Sequence, residues 1–340
     1  MITRFVLILF ISVFLCLVAH SSDLKKGNSK IKIVFYNVEN LFDIIDDTLK
    51  SDNEFLPNSY KKWNEERFTR KLNNIYKVIV AIGQWNAPEI IGLCEIENYY
   101  VLNSLISNTP LLKYNYSIIH YDSPDKRGID VALLYLKNSF IPVYSEPVRI
   151  NFPENSSKTR DILYVKGIIN VKDTIHLFVN HWPSRWGGQS KTENKRIYVA
   201  KVLKSKTDSI LNIDKNSNII IMGDFNDEAS DKSISEYLVN EGSALVSLYM
   251  TSANNNIGTL KYRGIWSVFD QFVISGGLLN NNNTVSVLKD RVYIFSPDFL
   301  LVEDDKYTGV LPFRTYAGPK YLGGFSDHLP IVMEINLIKD

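Results

Sequence analysis

The chain has 340 residues, with 38 basic side chains against 37 acidic ones. A balance that close leaves no long-range field, which argues against a protein that coats nucleic acid through bulk charge and makes any phosphate binding local to a cleft. With only Cys16 and Cys94 a disulfide-stapled scaffold is excluded too, and a composition 45% hydrophobic and 12% aromatic supplies a domain-sized core instead.

In chain order, the first feature is Arg4 followed by the almost wholly apolar run Phe5–Ala19. One positive charge before an apolar run too short to span a bilayer comfortably is the pattern of a signal peptide. The expected boundary is residues 1–21, with cleavage after Ser21 and an uncleaved anchor as the alternative. Cys16 has no small residue before it, which argues against a lipoprotein, and it leaves with the peptide. The mature chain, residues 22–340, is expected to be one secreted or periplasmic domain, monomeric and without stable membrane insertion, since no later apolar run is long enough to cross.

Lys32–Asn37 and Ile90–Glu95 read as buried strands, each a short apolar run ending on a polar side chain. Between them Leu72, Ile75, Val78, Ile79 and Ile82 recur at helical spacing, which predicts an amphipathic helix over Glu65–Gly83. Further strands are expected at Asn115–His120, Ile129–Tyr135, Leu163–Val171, Thr174–Asn180, Asn218–Met222, Phe269–Ser275 and Ile331–Ile335. A second helix is expected over Glu193–Leu211, and Asn280–Asn283 reads as a surface loop. Many strands with few long helices imply two packed sheets with helices outside, a layered α/β sandwich.

The segment Ile219–Asp227 is a buried strand running into Gly223-Asp224-Phe225-Asn226-Asp227. Alone it fits turn chemistry as well as a site, because Gly, Asp and Asn favour turns. The same grammar recurs: a strand ends at Asn37, another at Glu95, another at Asn180-His181, and Ser326-Asp327-His328 precedes a strand. Ligands gather at strand ends, where loops hold polar groups at the limit of the sheet. Oxygen donors without a cysteine or histidine cluster suit a hard divalent cation, Mg2+ before Mn2+ or Ca2+, and argue against structural zinc. His181 and His328 stand in matching contexts, His-Trp-Pro and His-Leu-Pro.

Together these segments resemble the endonuclease/exonuclease/phosphatase superfamily, over about Ile31 to Ile335 and in the family's order. The resemblance implies a deoxyribonuclease I-like fold, a four-layer α/β/β/α sandwich of two mixed sheets flanked by helices. It implies metal-dependent hydrolysis of phosphate esters by in-line attack of water. Carried over by position, Glu95 and Asp327 look like metal ligands, with Glu39 where some members place a second acidic group. Asn37 looks like the first-strand asparagine of the metal or phosphate network. Asp224 and Asn226 resemble the pair that activates water and binds phosphate, His328 the transition-state histidine, and Asp270 the carboxylate that holds it. His181 matches the family's His-x-x-Pro region loosely, its proline coming one residue sooner.

A phosphodiester needs its charge neutralised, a base for the nucleophile and help for the leaving oxygen, and these residue types supply all three. Arg127 and Arg185 adjoin the motif segments and are candidate phosphate contacts, with Arg160 a further one. Trp186, Tyr262 and Trp266 fall in loops expected to frame the cleft, as stacking or packing residues. The expected substrate is nucleic acid; the alternatives are a phosphatase or lipid phosphodiesterase on the same scaffold, or a non-catalytic binding module.

Overall fold

The computed structural model describes residues 29–338 other than 85, 154–157, 170–171, 249 and 253–256, so the expected signal peptide lies outside the described residues. In chain order its main elements are β1 (Ser29–Leu41), α1 (Glu65–Gly83), β2 (Ile90–Ile96), α2 (Tyr99–Ser107), β3 (Tyr116–His120) and β4 (Asp130–Leu136). They continue with β5 (Ile141–Val148), β6 (Ile162–Ile169), β7 (Asp173–His181), α3 (Gln189–Ile213), β8 (Asn218–Asp224), β9 (Leu245–Ser247) and β10 (Thr251–Ser252). The last are β11 (Asp270–Ser275), β12 (Val285–Ile294) and β13 (Ile331–Leu337).

One sheet has seven strands in the order β10-β12-β13-β1-β2-β4-β3, the other six in the order β5-β6-β7-β8-β11-β9. β1 pairs parallel with β2, and β7 with β8, while the other pairings at the centre of each sheet are antiparallel. Each parallel pair needs a crossover, and α1 and α3 provide the two. The sheets pack face to face through Phe35, Leu177, Ile220, Met222 and Phe272. Side-chain alternation on β8 sends Ile220 and Met222 into that interface and Ile219 and Ile221 outward against Val199, Ala200 and Leu203 of α3. On the far side Phe68, Leu72, Ile75, Val78, Ile79 and Ile82 of α1 are all at most 2% exposed. Each such side chain contributes on the order of 1.5–3 kcal/mol of burial. The result is helix, sheet, sheet, helix, as the resemblance implied. No helix among the described residues is long and apolar enough to cross a membrane.

The layering fixes where chemistry can sit. Parallel β1 and β2 end together, as do β7 and β8, and the antiparallel strands β11 and β13 begin at that same end. Asn37, Glu95, His181 and Asp224 therefore come from strand C-termini, Asp270 opens β11 opposite Asp224, and His328 lies just before β13.

Candidate active site

Asp224 is the hub. It is 2% exposed, and its Oδ2 accepts a hydrogen bond from Asn37 Nδ2 at 3.1 Å, a link from one sheet to the other. Its Oδ1 accepts the Asn226 backbone N–H at 2.9 Å. Two imidazoles flank it, with His181 Nε2 at 3.7 Å and His328 Nε2 at 3.8 Å. Burial, and the nearby Asp270 charge, push the Asp224 carboxyl up to about 7 even though His328 and the two hydrogen bonds favour its ionised form.

The two histidines are driven in opposite directions. Burial disfavours the cation at both. At His328 it is outweighed by Asp270, whose Oδ2 is 2.7 Å from Nδ1, and by Asp224, so its pKa stands well above the ordinary histidine value. With Nδ1–H held by Asp270, Nε2–H faces Asp224. His181 is held well below the ordinary value by burial, by the Arg160 and Arg127 guanidiniums and by His328. It stays neutral, although its Nε2 is also 3.9 Å from Glu95 Oε1. Separated titrations of paired groups are how one site provides both a donor and an acceptor near neutral pH.

Glu95 lies at the edge of this group, its Oε2 accepting from the Asn40 N–H at 2.9 Å and its Oε1 3.5 Å from Arg127 Nη2. Arg127 also donates to Asn40 Oδ1 at 2.9 Å and keeps its side chain 47% exposed, free to turn toward a ligand. Asp327 Oδ2 accepts from Arg314 Nη2 at 2.9 Å. Burial would raise Asp327, but the Arg314, His328 and Lys71 charges prevail and hold it lower than usual. Four of the eight non-glycine residues with positive φ among the described residues are Glu39, Asn40, Glu95 and Asn226. Backbone strain is concentrated where these side chains are aimed.

Other expected residues turn elsewhere. Glu39 directs its carboxylate at the 314–316 loop, accepting from Thr315 N at 2.6 Å and Tyr316 N at 3.3 Å with Arg314 Nε at 3.5 Å, so its oxygens serve that loop. Arg185 braces the Asp224–Asp227 loop through Asn226 O (2.8 Å), Asp227 (2.9 Å) and Asp231 (2.5 Å) instead of standing free for phosphate. Arg160 is likewise committed to the His181 and Trp182 carbonyls and Asp125. Asp130, at the start of β4, bonds His120 and the Ser123 N–H. Trp186 is 90% exposed and Tyr262 67%, and the hairpin carrying Tyr262 reaches the site through a bridge between Leu260 and His328.

Sequence reasoning missed Arg314 and Lys71. Lys71 is 1% exposed and donates to Thr315 Oγ1 (2.6 Å) and Phe325 O (2.7 Å), tying the two loops that carry Arg314 and Asp327. A signal existed for Lys71: with Phe68, Leu72 and Ile75 it sits on the apolar stripe of α1, where a lysine is out of place unless it has a partner inside. Nothing local marks Arg314.

An oxygen-rich set at one strand end fits a hard divalent cation. Two buried polar atoms there, Asp270 Oδ1 and His181 Nδ1, have no hydrogen-bond partner within the protein, consistent with a site completed from outside. Asp224, Asp270 and His328 present ligand atoms within 4.8 Å of one another. Because His328 Nδ1 is already engaged by Asp270, that group is better read as a proton-holding dyad facing Asp224.

A family model described as Endonuclease/Exonuclease/phosphatase family matches residues 32–337. Among solved structures the chain resembles the human Nocturnin catalytic domain with bound sulfate anion, at 18% identity and TM-score 0.56, covering 92% of this chain and 97% of that one. It also resembles an endonuclease/exonuclease/phosphatase family protein from Bacteroides thetaiotaomicron, at 15% identity and TM-score 0.55, covering 92% and 96%. A third is TDP2 from C. elegans, at 13% identity and TM-score 0.56, covering 91% and 75%. At such identities the likeness establishes the fold. A comparison with curated proteins returned no match.

Proposed function

The chain belongs to the Endonuclease/Exonuclease/phosphatase family and is a hydrolase of phosphate esters, and on that premise we propose a secreted, Mg2+-dependent phosphodiesterase acting on nucleic acid as a monomer. The observation that carries the reading is Asp224, buried, bonded to Asn37 across the two sheets and flanked by one cationic and one neutral imidazole.

Glu95 and Asp327, with Asn37, would hold the divalent cation, which supplies charge neutralisation at the phosphate when bound. Asp224, with a pKa of about 7, takes the proton from the attacking water; Asn37 and the Asn226 N–H fix its orientation. His328, kept protonated by Asp270, presents Nε2–H to a phosphoryl oxygen, a donor already oriented before charge develops. Neutral His181 stands on the Glu95 side of Asp224, where its ring N–H is suited to hydrogen-bond the leaving oxygen without protonating it. Among the described residues no activated serine or cysteine is present at this group, so water is the nucleophile: its oxygen bonds phosphorus and its proton passes to Asp224 as the ester P–O bond breaks, and the departing oxygen takes its proton from solvent.

Exposed Trp186, in the loop that follows β7, and Tyr262, on the hairpin bridged to His328, offer faces to stack, which favours nucleic acid over a compact phosphomonoester. The test is a screen of the purified chain with Mg2+, Mn2+ or Ca2+ against plasmid DNA, RNA, a bis-ester and phosphomonoesters. Cleavage of DNA or RNA supports the reading; turnover of monoesters alone would refute it.

A further inference from the structure

A cavity of about 170 Å³ opens beside the Glu95 edge of the site, between the aromatic side chains of Phe55 and Tyr316, with Lys61, Arg314, Asn40, Thr315 and the carboxylate residue Glu39 contributing its polar lining. Asn40 connects it to Glu95 through its backbone N–H and to Arg127 through Oδ1. Arg314 connects it to Asp327. The cavity is thus one side chain removed from both carboxylates assigned to the metal.

Its charge is tuned from behind. Lys61 pairs with Glu54 at 2.7 Å and lies 4.0 Å from the Phe55 ring centroid and 5.4 Å from that of Tyr316. Arg314 answers Glu39 and Asp327. Two further cations have no carboxylate within ion-pair distance among the described residues: Arg67, which donates to Lys61 O and Tyr316 OH, and buried Lys71. Of the charged groups that line or adjoin it, the carboxylates Glu39, Glu54, Glu95 and Asp327 face the cations Lys61, Arg67, Lys71, Arg127 and Arg314. Cations set behind uncharged partners leave positive potential for whatever enters, and a guanidinium and an ammonium on one small wall match the oxygens of a phosphate.

We infer that this cavity binds a second phosphate of the substrate, next to the phosphate being cleaved. The inference rests on the phosphoesterase reading above and narrows its substrate class. The second phosphate is either the neighbouring one of a nucleic-acid strand or one carried by a compact polyphosphorylated molecule, and Lys61 is the residue that distinguishes it from a single ester.

The experiment compares kcat/KM of the full chain with Mg2+ on matched pairs: thymidylyl-thymidine against its 5′- and 3′-phosphorylated forms, and an inositol monophosphate against an inositol bisphosphate. Bis(p-nitrophenyl) phosphate serves as the single-phosphate reference. The wild type is expected to prefer the doubly phosphorylated partner by about tenfold or more in one pair, mainly through KM, the increment of one charge-assisted contact. The pair showing it identifies the source. Lys61→Gln should bring that ratio to within about twofold, and Lys61→Arg should restore it, which a merely structural role for Lys61 would not do. Equal losses on single and double phosphates, or no wild-type preference while esters are still hydrolysed, overturn the subsite alone. Absence of turnover on every ester, bis(p-nitrophenyl) phosphate included, overturns the parent reading and the subsite with it.

Discussion

Asp224 and His328 do opposite work because of what surrounds them. Burial raises the carboxyl to about 7, whereas Asp270 and Asp224 hold the imidazole protonated. With Asp224 as the proposed base, kcat/KM is expected to climb as pH rises through about 7, and the residual activity of Asp224→Asn should lack that acid limb. A pH–rate profile checks both. Asp224→Asn and His328→Ala are each expected to lower kcat by roughly 10²–10⁴-fold without unfolding the chain, measured by steady-state kinetics beside circular dichroism. Asp224, Asn226, Glu95 and His328 were legible because each ends or precedes a hydrophobic strand, a pattern visible along the chain. The direction of the Glu39 carboxylate was not, since its partners at Thr315 and Tyr316 are contributed by a loop remote in sequence. The commitment of Arg185 to Asp227 and Asp231 was hidden for a related reason: an arginine beside a motif looks the same whether it grips substrate or braces the loop.

At the scale of elements, the two parallel crossovers bring four strand C-termini to one edge, and their close approach has a steric requirement. A Cβ on Gly223 would lie 2.5 Å from both Cβ and O of Asn180 on the neighbouring strand. Gly223→Ala is therefore expected to force β7 and β8 apart and cost about 1–3 kcal/mol, read by urea unfolding, with activity falling as Asp224 shifts. An unchanged midpoint would contradict that packing. The expected strands and both long helices are present among the described residues, with ends displaced by up to a few residues, except that the last two positions of the expected Leu163–Val171 strand lie outside the described residues. The elements missed have physical reasons. β5 contains Pro142 and Pro147, which argue against a strand except at a sheet edge, where β5 lies. β12 is bulged between Val287 and Val292 and half exposed, so its alternation is broken. α2 is a short helix started by the Asn98 side chain, which accepts from Val101 N.

Across the whole molecule, the near-balanced charge seen in composition conceals uneven placement. Behind the Glu95 strand, Glu97 is raised to about 8, first by burial and then by the charges of Asp43, Asp52 and Asp47. A folded-state value above the unfolded one means the folded chain holds a proton that the unfolded chain has released. That contribution is complete below the unfolded carboxyl pKa and is lost as pH rises through about 8. Glu97→Gln keeps an acceptor for the Asp43 N–H and removes the loss, so it should match the wild type at pH 4 and exceed it at pH 9 by about 1–3 kcal/mol after allowing for screening, measured by denaturant titration. Equal stability of the two proteins at pH 9 would contradict the assignment. The same uneven placement gathers the chemistry at one edge of two sheets, and the central claim is that this edge hydrolyses phosphodiesters with a divalent cation. The most direct measurement is hydrolysis of bis(p-nitrophenyl) phosphate by the purified chain, after removal of metal with EDTA and after readdition of Mg2+, alongside His328→Ala. Turnover that vanishes with EDTA, returns with Mg2+ and is lost in the variant is the expected result; turnover indifferent to metal, or undiminished in His328→Ala, would contradict it.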